Sequence, residues 1–409
     1  MKAIPVSPEL RRGRNQLAAL VSIGHAIKHI YNSGLQAILF PEIKLGLGLS
    51  ATQLGSLAAA RQVTGWFTTM VAGYLGDRFS HRASLMLGIS LSLLGVSFFF
   101  AGTAGSYWVM FVAMLVVGTG PSLYHPPAIG ALSRRFPDRR GFAISLHGTG
   151  GSVGEVLGPL VAAGALTYFV WQDVLKISLV PALLAAFLIW SMMRSVPGEA
   201  PGSASTRAYL ASLVALVKKR ALFALVMVAA MRSMGQSAVV TFLPIYLRED
   251  LEFSATRVAI YLSLAQVVGI GVQPVMGSLS DRYGRKAVLV PALALQALLF
   301  LGLYYADPGA QLVLVILALG AVLYSLHTIF IAAAMDVAEG EVQSTIVSLI
   351  YGATFLGTVS PIVAGFIVDQ TGDTSNAFIY GGVVMFLTAA ALASLRLPRT
   401  ERQVAEGGG

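Results

Sequence analysis

The sequence predicts an all-α polytopic membrane protein with twelve transmembrane helices in two six-helix bundles. Three observations carry that expectation. Hydrophobic residues make up 56% of the chain and charged residues 11%, with a mean hydropathy of +0.74, a composition foreign to water-soluble domains. The apolar residues gather into twelve segments, most of them near the roughly 20 residues that a helix needs to cross a bilayer. Lys and Arg fall almost wholly into alternate connecting segments, the pattern of basic loops retained on one side of a membrane.

In chain order the predicted spans are 16–40, 50–76, 83–102, 107–132, 142–168, 172–193, 221–246, 255–280, 286–305, 309–335, 343–368 and 374–396. The first fifteen residues are polar and basic (Arg11, Arg12, Arg14). The apolar run after them is too long for a signal-peptide core and has no evident cleavage site. The longest break carries Pro197, Gly198, Pro201, Gly202, Ser203 and Ser205, residues that mark a linker. The expected division is an N-terminal bundle over 1–194, a linker over 195–220 and a C-terminal bundle over 221–409.

With the N-terminus inside, 21 of the 28 Lys and Arg lie in inside segments. Only Lys44, Lys176, Arg248 and Arg257 lie outside, and Lys28, Arg61 and Arg232 fall within spans. That asymmetry places both termini in the cytoplasm of a cell-membrane protein. It also accounts for the net charge of +9 without nucleic acid as a partner. No cysteine is present, which excludes disulfides, thiol catalysis and Cys-based metal sites.

Span one is the most polar. His25, Lys28, His29, Asn32 and Gln36 fall on one helical face, and Leu20, Ile23, Ile27, Ile30 and Leu35 cover the other. A lysine near the bilayer centre costs about 2.5–3.5 kcal/mol on insertion scales, so Lys28 is expected to face protein or a wet cavity. The other cavity candidates are Arg61 in span two, Tyr124 and His125 in span four, His147 and Glu155 in span five, Arg232 and Gln236 in span seven, Gln266 in span eight, Tyr324 and His327 in span ten, and Tyr351 in span eleven. Three cations in spans oppose one deep acid, Glu155. Such a cavity suits a small anion, and guanidinium suits carboxylate or phosphonate. His25, His29 and Glu155 are the expected proton-coupling groups. His25 and His29 at i, i+4 have the spacing of metal ligands, but Lys28 between them and the lack of a nearby carboxylate argue against a metal. No cofactor is expected.

The halves repeat. Gly73-Tyr74-Leu75-Gly76-Asp77-Arg78-Phe79-Ser80-His81-Arg82 follows span two, and Gly277-Ser278-Leu279-Ser280-Asp281-Arg282-Tyr283-Gly284-Arg285-Lys286 follows span eight. Both resemble the loop signature of the major facilitator superfamily, G-x-L-x-D-R-x-G-R-R. The resemblance implies the major facilitator fold and transport by rocking one bundle on the other. The signatures carry charges able to latch the cytoplasmic side. Arg78 and Arg82 are expected to meet Glu339 or Glu341, and Asp281 to meet Arg139 or Arg140; Asp77 and Arg282 complete the gating set.

Gly154-x-x-x-Gly158-Pro159 resembles the span-five motif of proton-coupled antiporters, but Ala162-Ala163 stand where two glycines are usual, and the span-four arginine is replaced by Gly118-Thr119-Gly120-Pro121. His25, Tyr124-His125-Pro126, Gly141-Phe142-Ala143, Gly150-Gly151 and Gly158-Pro159 resemble the fosmidomycin-resistance branch, which implies export of a small phosphonate. His29 stands where that branch has an acid in span one. The expected function is therefore proton-coupled export of a small organic anion by a monomer, with uptake by symport as the alternative. A drug or lipid exporter and a membrane receptor rank below these. The sequence has no H-E-x-x-H, G-x-S-x-G or Walker loop, which argues against an enzyme or an ATP-driven pump.

Overall fold

The computed structural model describes residues 11–136, 138–194, 218–338, 352 and 354–395. Every regular element among them is helical. In chain order they are α1 (Arg14–Gly34), which runs through a π turn (Leu35–Leu39) into α2 (Phe40–Leu47), then α3 (Ala51–Arg78), α4 (Ala83–Gly102), α5 (Tyr107–Val117), α6 (Thr119–Ser122), α7 (His125–Arg135), α8 (Arg140–Leu166), α9 (Trp171–Ile177) and α10 (Leu179–Met193). The second half comprises α11 (Arg220–Ile245), continued by a π turn (Tyr246–Asp250), α12 (Ala255–Tyr283), α13 (Arg285–Tyr305), α14 (Ala310–Leu323), α15 (Leu326–Ala338), α16 (Ser360–Thr371) and α17 (Asn376–Ser394).

Among the described residues, eight helical stretches are long and apolar enough to cross a membrane. Three further ones, built on α1, α3 and α8, have 21, 28 and 27 residues. They fall outside the apolar set through composition rather than length, because they carry the Lys28, Arg61 and Glu155 neighbourhoods. Of predicted span eleven (343–368), 343–351 and 353 lie outside the described residues, and the rest contains a 3-10 turn (Thr354–Val359) leading into α16.

Three predicted spans are not single helices. Span four is broken into α5, α6 and α7 around Gly118 and Leu123–Tyr124, and Pro126 and Pro127 start α7, where a missing N–H costs nothing. Span six breaks at Ser178, three residues before Pro181, and Tyr31 donates its hydroxyl to the Ser178 carbonyl at 2.6 Å. Span ten breaks at Tyr324–Ser325. Each break leaves backbone groups that must find partners within the protein.

The chain forms two compact units, Met1–Leu47 with Ala60–Thr206, and Gly48–Ala59 with Arg207–Gly409. In the first, α1 packs along α8 and α4 along α10. The α1–α8 seam is made by glycines on one stripe of α8. A Cβ on Gly150 would collide with the Ser22 carbonyl, one on Gly154 with the Ala26 carbonyl, and one on Gly158 would come within 2.6 Å of the Ile30 carbonyl. Small residues at this spacing let two backbones approach closely. In the second unit, α17 packs against α11 and α13, and α12 against α14. The first turns of α3 belong here. The Asp369 carboxylate accepts from the Ala51 amide at 2.8 Å, the Thr52 amide at 2.9 Å and the Thr52 hydroxyl at 2.5 Å, and so caps α3 from α16.

Gly154→Val is expected to destabilise the first unit by about 1–3 kcal/mol, the usual cost of overpacking. Thermal unfolding in detergent checks this, with Gly164→Val as control, since a Cβ at Gly164 meets open space.

Candidate functional site

The seam places one face of α1 against α7 and α8. Pro126 and Pro127 fix the start of α7, so His125 projects from its first turn. On α8, His147, Gly151 and Glu155 recur every four residues and share a face. Gly151 leaves room for the His25 ring, whose Cε1 would lie 2.5 Å from a Cβ there.

These elements assemble four of the chain's six histidines. His25 and His147 stack with ring centroids 3.8 Å apart, and His125 meets His25 edge-on at 4.7 Å. Lys28, 3% exposed, places Nζ 2.5 Å from His125 Nε2. His25 Nδ1 lies 2.7 Å from the main-chain oxygen of His147. Its Nε2 lies 3.0 Å from His29 Nε2. His29 Nδ1 is 3.1 Å from Glu155 Oε1. Tyr124, fully buried, donates its hydroxyl to the Val21 carbonyl at 2.9 Å. Arg61 reaches the same unit from α3 and donates to Gln36 Oε1 at 3.0 Å.

Several buried polar atoms here have no hydrogen-bond partner among the described residues: Asn32 Oδ1, Arg61 Nε and both ring nitrogens of His147. Leaving such a group unmade costs about 1–3 kcal/mol, so the site favours a polar occupant. Nitrogens of His25, His125 and His147 lie within 4.8 Å of one another, close enough to consider a metal. The Lys28 ammonium beside His125 puts a positive charge in that space and opposes a second cation.

The second unit holds the remaining candidates. Arg232, 6% exposed, donates from Nη2 to the Leu323 carbonyl at 3.0 Å, and its guanidinium lies 5.8 Å from the Phe330 ring centroid. Gln236 follows one turn later on α11 and is half-buried. Gln266 is buried, and Tyr324 and His327 are half-buried around the break between α14 and α15. Tyr351 lies outside the described residues.

Two of the charges expected to latch, Asp281 and Arg139, have ion-pair partners within their own units. Asp281 pairs with Arg285, which also donates to Asp336 at 2.8 Å and to the Ser280 hydroxyl at 2.8 Å. Arg139 lies 3.4 Å from Asp138, which also takes Arg14 at 3.0 Å. Arg285 lies four residues from Asp281, across the Gly284 turn. Arg78, Arg82 and Arg282 are exposed, and Arg282 covers the Tyr283 ring at 5.3 Å. Glu339, Glu341 and the side chains of Asp77 and Arg140 lie outside the described residues.

The sequence placed His147 among the cavity candidates but not against His25. Its four-residue register with Gly151 and Glu155 was the available signal. Asp369 and Arg285 were not singled out, because their partners lie across turns or far along the chain.

Long helices, most of them apolar, with buried cations and imidazoles define a multi-pass membrane protein. The family model for the Major Facilitator Superfamily matches residues 22–360 and 230–408, and the chain belongs to that superfamily of secondary transporters. It is 25% identical over 389 residues to the fosmidomycin resistance protein of Escherichia coli K12, covering 92% of this chain and 91% of that one. It is 26% identical over 416 residues to a probable sulfoacetate transporter, SauU, of Cupriavidus necator, covering 93% of each. Among solved structures, the nucleoside transporter NupG superposes with a TM-score of 0.75 at 14% identity, covering 93% of this chain and 98% of that one; this likeness concerns the fold.

His147→Phe is expected to keep the stack on His25 and to leave the melting temperature unchanged or higher, since it removes unsatisfied buried nitrogens. Transport should fall in the same variant. In the loop before α8, burial acts to raise the Asp138 carboxyl, but its own backbone amide, Arg14 and Arg139 outweigh this and hold it below the usual carboxylate value. A depressed value in the folded state means that the contribution is present above the unfolded value, about 3.9, and is lost as pH falls through the folded one. A spin label at Gln16 should therefore gain mobility as pH drops through that range, and Asp138→Asn should show the mobile line shape at every pH.

Proposed function

We propose that this protein carries a small organic anion of the carboxylate or phosphonate type by alternating access, coupled to protons. One observation carries the reading: the buried Lys28 ammonium, with the Arg61 guanidinium in the same unit, beside a titratable His25–His29–Glu155 chain. Buried cations without a carboxylate to neutralise each of them favour an anionic ligand. Fosmidomycin and sulfoacetate, the compounds in the relatives' names, are of this chemical type. Asn32, Gln36, Tyr124 and His125 would complete the anion site in the first unit. Arg232, Gln236, Gln266, Tyr324, His327 and Tyr351 would be the substrate-binding residues of the second unit. The charged loop residues would gate, both termini would be cytoplasmic, and the transporter would act as a monomer of two bundles, 1–194 and 221–409.

The sign of the coupling favours symport. A proton added to the His25–His29 pair adds positive charge close to Lys28, and an anion bound there offsets the repulsion, so proton and anion binding assist one another, and the assistance is reciprocal. Export by exchange is the second reading, supported by the likeness to a resistance protein.

Flux into proteoliposomes, measured for a panel of phosphonates and carboxylates with and without a pH gradient, tests this. Each of Lys28→Gln, Arg61→Gln and Arg232→Gln should weaken anion binding by about tenfold or more, because a charged hydrogen bond is worth about 1.5–3 kcal/mol. If His29→Gln abolishes proton dependence while Glu155→Gln does not, symport holds; the reverse favours exchange. Unchanged anion binding in all three cation variants would sink the anion reading.

A further inference from the structure

We infer that the Glu155–His29–His25 chain holds one proton more than an ionised carboxylate and two neutral imidazoles carry. The inference rests on the proton-coupling role proposed for these residues and adds a count and a location. Three short contacts run in line, from Glu155 Oε1 to His29 Nδ1 at 3.1 Å, from His29 Nε2 to His25 Nε2 at 3.0 Å, and from His25 Nδ1 to the His147 carbonyl at 2.7 Å.

A carbonyl oxygen only accepts, so His25 Nδ1 carries a hydrogen. A neutral imidazole has one N–H, and the other nitrogen presents a lone pair. His25 Nε2 is then an acceptor. An ionised Glu155 also only accepts, so His29 Nδ1 carries that ring's hydrogen and His29 Nε2 is likewise an acceptor. Two lone pairs would face each other across 3.0 Å. Three contacts require three hydrogens, and the two neutral rings supply two. The third is the extra proton.

It has three equivalent addresses. On Nε2 of either histidine it makes an imidazolium paired with the Glu155 carboxylate. Passed outward through His29, it makes Glu155 a neutral acid that donates to Nδ1. Every arrangement leaves the chain with zero net charge. The neighbours do not supply the missing hydrogen. Lys28, on the same helix, points its ammonium at His125 of α7. The His147 ring of α8 has no hydrogen-bond partner among the described residues, and Arg61 of α3 is engaged with Gln36. Of the two ends of the chain, the Glu155 end is the more exposed, its side chain at 37% and that of His29 at 17%, while His25 is buried at 4%. Protons therefore enter and leave through Glu155. Losing the extra proton breaks the His29–His25 contact and leaves one negative charge beside Lys28, a state that repels an anion.

The test uses the full chain in lipid bilayers with 15N-labelled histidine, read by solid-state NMR at neutral pH. The expected result is a doubly protonated imidazole, or a proton shared between two ring nitrogens, assigned to His25 and His29 by its loss in His25→Gln and His29→Gln. If the proton rests on Glu155, the infrared carboxylic-acid band replaces that signal and is lost in Glu155→Gln. In Glu155→Gln the new amide N–H supplies the third hydrogen, so both histidines should read neutral. Unaltered signals from the other histidines establish that each variant is folded. Two neutral imidazoles beside an ionised Glu155 in the wild type overturn the inference. So does stoichiometric Zn2+ binding by the purified protein, measured by calorimetry and lost in His25→Gln, since a cation would then take the proton's place. The readout needs no substrate. Coupled flux without the extra proton defeats this count alone, and uncoupled flux with the proton present upholds the count while defeating the coupling.

Discussion

The contact between Lys28 and His125 is the constraint around which the first unit is arranged. An ammonium at bilayer depth is tolerated only if protein supplies what water would have supplied. Here an imidazole lone pair does so, and the imidazole is held by a helix that begins at two prolines. For the two groups to meet, α1 must lie almost in backbone contact with α8, which the glycines of α8 permit. The loss of apolar character in α1, α3 and α8 follows from the same requirement. The helices that fall short of an ordinary transmembrane composition are the ones that carry buried polar groups toward each other.

Much of the architecture could be read from the residues. Hydropathy marks the helices because lipid leaves the backbone few alternatives, and the duplicated Asp77-Arg78 and Asp281-Arg282 loops announce the family. Lys28, His25, His29 and Glu155 were legible as a group because uncompensated polarity in an apolar run is costly. The partners were less legible. That His125 rather than a carboxylate receives Lys28 depends on how α7 is broken from α5, and a hydropathy plot does not register a break in a helix. That Asp281 turns to Arg285 depends on the geometry of one glycine turn. Asp369 gave no sign in the sequence because its partners are backbone amides, which every residue possesses.

The superfamily likeness and the site inform different levels. The fold is shared with transporters of unlike solutes, and fold alone does not assign a substrate. What the structure shows at the local level is four imidazoles drawn together beside a lysine. The proposed selectivity and coupling therefore rest on a few rings on α1, α7 and α8, not on the bundle as a whole.

The cap on α3 has a consequence for biogenesis. Asp369 closes the start of a helix more than three hundred positions upstream, with sequence separations of 317 and 318 to its partners. A ribosome finishes α3 long before the residue that completes it exists. During synthesis the amides of Ala51 and Thr52 must rely on water, lipid headgroups or an insertion factor. The N-terminal end of that helix acquires its final partner only when the last part of the chain has been made, so this end of the helix matures late, whatever the order in which the helices enter the bilayer.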